Sequence, residues 1–142
     1  MARQQEVLQP PVPRPTPTSQ PFWDGLGEGE VRLQQCESCG GWVFYPRSRC
    51  PHCMAEALKW RRVSGQATLY TWTRCDRPTA PHFAEQVPMW IAVVELAEGV
   101  RMTTNLVVAD DVELRAGMAM RPVFEPVADG DRTVTLLKYA PA

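Results

Sequence analysis

Long apolar runs are missing from this 142-residue sequence. No stretch approaches the ~20 residues needed to cross a bilayer, and the opening Met-Ala-Arg-Gln-Gln-Glu-Val-Leu lacks the sustained hydrophobic region of a secretory signal. These absences predict a cytoplasmic chain with no membrane span. A basic surplus is missing as well: 15 Lys and Arg stand against 16 Asp and Glu, for a net charge of -1, whereas nucleic-acid modules carry a positive excess. Absent too are Gly-x-Gly-x-x-Gly, P-loop, Gly-x-Ser-x-Gly and paired-histidine motifs, the usual marks of an independent enzyme. No internal repeat and no long amphipathic helix is visible.

What is there is a 44% hydrophobic chain, enough for one sizeable core. Its charge is unevenly spread. Between Val31 and Arg62 there are six basic residues against two acids, and between His82 and Asp131 nine acids against three arginines. The basic stretch reads either as a phosphate-facing patch or as solvated surface.

Residues 1–20 are a proline-rich arm or linker, with Pro10, Pro11, Pro13, Pro15 and Pro17 spaced as in a polyproline segment. Phe22, Trp23 and Leu26 follow at helical spacing, so residues 21–30 are expected to form a short helix that leans on another surface. The two aromatics belong either to the core edge or to a ligand or partner surface.

Beyond Cys53 the pattern is β-like. Strands are predicted at 57–63, 67–73, 89–96, 100–107, 118–124 and 133–139, where β-branched and aromatic residues recur between Gly, Pro or Asp clusters. Glu98-Gly99 reads as a hairpin turn, Asp110-Asp111 as a brief turn or helical connection, and Pro122 as the sign of an edge or bulge. Residues 74–88 read as a large exposed loop, and such loops are often functional. The fold class is mainly β. Five strands after a small metal unit suit a closed OB-type barrel, and another five-stranded barrel fits the pattern as well.

Two Cys-x-x-Cys pairs, Cys36/Cys39 and Cys50/Cys53, carry the strongest chemical signal. Four thiolates close a tetrahedral shell around one metal ion, and each knuckle brings two sulfurs from one turn. A shell so filled leaves no coordination position for substrate, so the metal, one zinc per chain, is expected to be structural; iron would use the same four sulfurs. A thioredoxin-like reading lacks its βαβ setting, and disulfides do not suit a reducing compartment. Gly40 supplies the flexible backbone the first turn wants, while Met54 stands at that place in the second. His52, inside the second knuckle, is placed facing solvent or donating to a sulfur. Cys75 and His82 share the 74–88 loop, but nothing nearby suggests an oxyanion hole, so no catalytic residue is assigned. Tyr70 and Trp72 alternate onto one face of one strand, yet the barrel's acidity speaks against single-stranded nucleic acid as ligand.

The ordered set Pro21-Phe22-Trp23-Asp24-Gly25-Leu26, Leu33-x-x-Cys36-x-x-Cys39-Gly40, Cys50-Pro51-x-Cys53, Val63-Ser64-Gly65, Leu69-Tyr70-Thr71-Trp72-Thr73 and Ala92-Val93-Val94-Glu95-Leu96-x-x-Gly99 closely resembles the acyl-CoA-associated zinc-ribbon and OB-fold family, long catalogued as a domain of unknown function. The resemblance covers roughly residues 21 to 140. It implies a helical segment at 21–30, a rubredoxin-like zinc ribbon at 31–63 and a five-stranded OB-fold barrel at 64–142. It also implies a non-catalytic subunit that docks on a thiolase-like enzyme of acyl-CoA metabolism, a thiolase or the retro-aldolase of steroid side-chain degradation, stabilising it and helping to form its acyl-CoA channel. Residues 1–20 resemble the linker to a preceding hydratase-like domain. The CoA thioester would be shared with the partner. The expected acyl-CoA or partner surface comprises Phe22, Trp23, Phe83 and Trp90, with Arg47, Arg49, Arg61 and Arg62 for the phosphates. Departures from the family are Met54 and Trp90, the latter at a place where tyrosine is frequent. The competing functions are a nucleic-acid-binding zinc-ribbon/OB module and a free-standing acyl-CoA carrier.

Overall fold

The computed structural model describes residues 8–142. Residues 1–7 of the arm lie outside the described residues. The chain turns at Thr16–Ser19 into helix α1 (Gln20–Gly27), which starts with proline in its first turn, where the missing N–H costs nothing. Thr16 and Ser19 brace this entry reciprocally: the Thr16 N–H donates to Ser19 Oγ at 2.9 Å and the Ser19 N–H to Thr16 Oγ1 at 3.2 Å. The helix buries Phe22, Gly25 and Leu26 on one face. It starts one residue before the expected 21–30 segment and ends three residues short of it.

Three antiparallel strands follow, β1 (Val31–Cys36), β2 (Trp42–Val43) and β3 (Leu58–Val63), in the order β2-β1-β3. The short strands β1 and β2 escape sequence reading: β2 spans only two residues, and β1 buries Gln34 in a run that is half polar. Register carries β1 alongside β3 from Val31↔Val63 to Cys36↔Leu58, which places the first knuckle at the far end of the ribbon.

Five strands then close the expected barrel: β4 (Ala67–Cys75), β5 (Met89–Leu96), β6 (Arg101–Leu106), β7 (Ala119–Asp129) and β8 (Arg132–Pro141), joined in the order β4-β5-β6-β8-β7. The parallel β6–β8 junction at Leu106↔Tyr139 and the short β4–β7 junction at Ala67↔Met120 complete the ring. Closure removes the free edges a five-stranded sheet would otherwise present. β4 meets β7 only through Ala67 and Thr68, so Pro122 lies beyond that pairing, on the open side of β7 where no N–H is required. Past it, β7 and β8 continue as a two-stranded ribbon to the turn at Asp129↔Arg132.

The register of β4 against β5 shifts between Leu69 and Thr71, leaving Tyr70 as a bulge. This corrects the expected shared face of Tyr70 and Trp72. Tyr70 is exposed and carries Arg101 over its ring at 3.9 Å, while Trp72 packs against the core. The 74–88 segment is not wholly irregular, because Pro81–Gln86 forms a 3-10 helix. Asp110-Asp111 is a turn with no helix.

One buried cluster joins the parts. Phe22 and Leu26 of α1, Val31 and Leu33 of β1, and Leu69, Val94, Met120 and Tyr139 of the barrel are mutually packed. A second, smaller cluster of Cys36, Val43 and Cys50 sits at the knuckle end of the ribbon. Among the described residues no helix is long and apolar enough to cross a membrane.

Candidate metal centre and the surfaces around it

The two knuckles have matching backbones. The Gly40 N–H donates to the Cys36 carbonyl at 2.8 Å and the Met54 N–H to the Cys50 carbonyl at 2.9 Å. Both turns end in the left-handed region, Gly40 at φ 76° and Met54 at φ 64°. Glycine takes that conformation freely, whereas an L side chain costs ~1–2 kcal/mol there. Met54 therefore adopts the turn that the zinc knuckle demands, at an energetic cost rather than with an altered shape.

The four sulfurs lie within 4.8 Å of one another, with Cys36 and Cys50 buried and Cys39 and Cys53 exposed. Cys36 Sγ is 3.7 Å from Cys53 Sγ, and Cys39 Sγ 3.6 Å from Cys50 Sγ. A zinc ion with ~2.3 Å bonds to four sulfurs has tetrahedron edges of roughly 3.8 Å, and a disulfide needs ~2.05 Å, so these separations fit zinc and not a bridge. Without an ion the neighbouring thiols do not ionise alike. The Cys36 thiol is drawn down to about 7, first by the Cys39 backbone N–H, against desolvation and with help from the Ser38 N–H. Cys39 is pushed up to about 11: the Gly41 N–H favours its thiolate, but desolvation and the adjoining Cys50, Cys53 and Cys36 outweigh it. Four sulfurs this close cannot ionise together unless a cation offsets their repulsion.

His52 is exposed, as one of the two expectations had it. Its Nε2 lies 3.2 Å from the Trp42 carbonyl oxygen, and its ring fills the space over Gly41, where an added Cβ would sit 2.8 Å from Cδ2. The residue ties the second knuckle to the first. Its backbone N–H also reaches Cys50 Sγ at 3.4 Å.

Gln34 is the residue that sequence reasoning missed. Only 5% exposed, it accepts from the Arg47 N–H through Oε1 and donates through Nε2 to the Arg47 carbonyl, both at 2.8 Å. It thus pins the loop between the knuckles. A buried polar residue inside a strand that alternates imperfectly leaves no pattern by which to find it.

The expected acyl-CoA or partner residues are dispersed. Phe22, at 5% exposure, lies in the core, edge-on to Trp23 at 5.3 Å and tilted to Phe44 at 5.8 Å. Its burial takes it off any surface, and Trp23 is a partly buried residue packed against the same cluster. Arg47 and Arg49 line an open hollow of about 640 Å³ with Tyr45, Pro46 and Met54, whose large apolar side chains are 55% exposed for Tyr45 and 64% for Met54. Arg49 also pairs with Glu56 at 2.5 Å. Arg62 borders a separate cleft of about 310 Å³ between ribbon and barrel and pairs with Glu30, while Arg61 approaches Glu37 at 4.0 Å. Phe83 and Trp90 line two adjoining hollows on the barrel, which share Gln86, Asn105, Glu125 and Lys138. Arg47, Arg49 and Arg62 therefore border different concavities from the barrel aromatics. Cys75 ends β4 opposite Met89, and His82 is exposed on the 3-10 helix.

Two family models match the chain in tandem: the rubredoxin-like zinc ribbon domain of ChsH2 over residues 23–58 and the C-terminal OB-fold domain of ChsH2 over residues 60–125. A DUF35 domain-containing scaffold protein of Methanocaldococcus jannaschii is 32% identical over 74% of this chain and 75% of its own length. The chain belongs to the DUF35 family. Another relative, described as a probable enoyl-CoA hydratase alpha subunit of Thermomonospora curvata, is 29% identical over 98% of this chain, which spans only 43% of that protein. The 3-oxo-4,17-pregnadiene-20-carboxyl-CoA hydratase alpha subunit of Mycobacterium tuberculosis matches over 72% of this chain at 31% identity, again across a minor part (32%) of its length. Among solved structures, a chain of the Ltp2-ChsH2(DUF35) aldolase superposes with a TM-score of 0.75 at 25% identity, covering 92% of this chain and 98% of that one. A DUF35 protein from Sulfolobus solfataricus, at 15% identity and TM-score 0.61, shares the fold. The zinc-ribbon family model falls on the four clustered cysteines.

Proposed function

We propose that this DUF35 chain is a non-catalytic accessory subunit that docks on a thiolase-like enzyme acting on acyl-CoA thioesters. The observation that carries the reading is its near full-length superposition on the DUF35 chain of an aldolase complex. The chain's own chemistry is consistent with it. Its strongest reactive cluster, the four cysteines, fills a tetrahedral shell with protein sulfur, so a zinc held there would organise the ribbon and would have no open position for substrate. The reactive groups then come from the partner. The names of two relatives, an acyl-CoA hydratase subunit and a steroid-CoA hydratase subunit, support a CoA thioester as the shared ligand and a steroid side chain as one candidate acyl group.

On this reading the hollow of Tyr45, Arg47, Arg49 and Met54 is the candidate contact for partner or CoA phosphates, because it combines exposed apolar area with positive charge. The barrel hollows at Phe83 and Trp90 are the candidate apolar contacts. The decisive experiment is affinity purification of the chain from its native source, with identification of what co-purifies and an acyl-CoA cleavage assay of the complex. Recovery of a thiolase-like protein whose retro-aldol or thiolysis activity depends on this chain supports the proposal. Salt-sensitive binding to single-stranded DNA or RNA with no such partner would overturn it in favour of a nucleic-acid module, and acyl-CoA binding by the isolated chain would favour a carrier.

A further inference from the structure

The described part of the proline-rich arm runs along the barrel. Residues 9–14 roof a groove of about 540 Å³ on the barrel, whose floor and walls include Phe83 of the 3-10 helix, Asn105 of β6 and Val127 and Leu136 of the β7–β8 ribbon. This is the barrel face bounded by the loop between its first two strands and the turn between its last two, the side on which OB barrels take extended ligands. The arm lies on it as such a ligand would. Between Pro10 and Pro15, Pro11 and Arg14 are exposed while Pro10, Val12, Pro13 and Pro15 are half-buried; Leu8 and Gln9 before this stretch and Thr16, Pro17 and Thr18 after it are exposed. Over residues 10–15 every third residue is exposed, the period of a polyproline II helix that turns one of its three faces to solvent and two to the groove.

Two features make the contact reversible. The prolines fix φ before any contact forms, so seating the arm costs little chain entropy. Among the described residues, no hydrogen bond joins residues 9–14 to the barrel, so none has to break when the arm leaves. The groove is also charge-balanced, with Arg14 and Lys138 against Glu125 and Asp129, the last two already paired to Lys138 and Arg132. A balanced, partly apolar groove suits an uncharged extended segment and gives a polyanion no counter-charge.

We infer that this groove is a docking site for extended, proline-containing peptide segments, and that the chain's own arm occupies it in cis as a displaceable strap. The inference stands on the arm and the barrel alone, independent of the thiolase reading. Any extended segment of a partner that uses this face must first displace residues 9–14.

The test uses the full chain. A fluorescent peptide with the sequence of residues 8–17 is titrated, by anisotropy, against the wild type and against a full-length Val12→Asp/Pro13→Asp variant whose unchanged melting and zinc content confirm its fold. A tethered arm competes at an effective concentration in the ~mM range. Saturable binding to the variant at least tenfold tighter than to the wild type is therefore expected, and adding Phe83→Asp should remove that gain. Absent binding to the variant, equal binding by both proteins, or a gain that survives Phe83→Asp would overturn the inference. Should Phe83→Asp fail to fold, hydrogen exchange decides: amides of the β7–β8 ribbon should exchange at least threefold faster in the arm variant, and unchanged rates would count against a seated strap. Sedimentation supplies the last reading. A wild-type monomer is expected, while a dimer that the arm substitutions dissolve would show exchange between two copies and overturn occupancy in cis.

Discussion

The hydroxyl of Tyr139, in the last strand, donates a 2.8 Å hydrogen bond to the carbonyl oxygen of Gly65, in the link between ribbon and barrel. Tyr139 is fully buried. Gly65 sits at φ 75°, and a Cβ added there would lie 2.9 Å from Val31 Cγ2 and 3.0 Å from Pro122 Cγ. The first ribbon strand, two barrel strands and the linker thus meet at Gly65.

Replacing Tyr139 with Phe should cost ~1–3 kcal/mol, since the Gly65 carbonyl loses its buried partner. The variant should also lose a pH effect. Burial, with the Glu98 carboxylate adding to it, raises the Tyr139 phenol above its ordinary value. A raised folded value favours the neutral form, so this contribution is complete below the unfolded value of about 10 and fades as pH rises through and beyond it. Melting temperatures from pH 8 to 11 should fall at the alkaline end for the wild type and more weakly for Tyr139→Phe; parallel curves would rule the effect out.

Gly65→Ala should be more damaging than an exposed turn substitution. Left-handed backbone costs an alanine ~1–2 kcal/mol, and crowding against Val31 and Pro122 adds ~1–3 kcal/mol. Chemical denaturation should show a loss within the sum of those ranges, and a loss below ~1 kcal/mol would mean that the junction yields.

At the second knuckle the sign reverses. Met54 is exposed and holds φ 64°, so Met54→Gly relieves backbone strain and gives up almost no packing. Because glycine also loses more freedom on folding, by ~0.5–1 kcal/mol, the net gain should be modest, up to ~1 kcal/mol. Slower zinc release to a chelator in the variant is the expected readout, and faster release would contradict it.

Removing the metal should not unfold everything equally. The knuckle end has only the small cluster of Cys36, Val43 and Cys50, whereas the barrel shares its core with α1 and the root of the ribbon. Cys39→Ser, or chelation, should therefore strip exchange protection from residues 36–58 and leave the barrel amides protected, since a structural ion supplies folding energy locally. Retained protection at the knuckles would argue against a structural ion.

Gln34→Ala should release the Arg47 loop by deleting two hydrogen bonds from a buried amide to backbone groups, at ~1–3 kcal/mol. If the hollow at Arg47 and Tyr45 is the partner contact, the variant should keep its zinc and lose co-purification with a partner. Intact assembly would move that contact elsewhere.

Much of this was legible in one dimension because the signals are local. Cys-x-x-Cys spacing fixes which sulfurs share a turn, and β-branched and aromatic runs between Gly, Pro or Asp clusters marked all five barrel strands. The two missed strands are short or polar at a buried position. The tilt of Tyr70 out of the Trp72 face came from a bulge, which depends on how β4 meets β5 and not on the composition of β4.

The sequence by itself determined the donor set, the β class and the absence of a polyanion-binding charge, since each follows from residue type and near-neighbour spacing. Tertiary structure decided what lies next to what. It buried Phe22 because α1 must cover an apolar face, set Arg47, Arg49, Arg62 and the two barrel aromatics around separate hollows, and laid residues 9–14 of the arm over the barrel. Those relations join residues dozens of positions apart, and only the closure of the core around Tyr139 and Gly65 brings them into register.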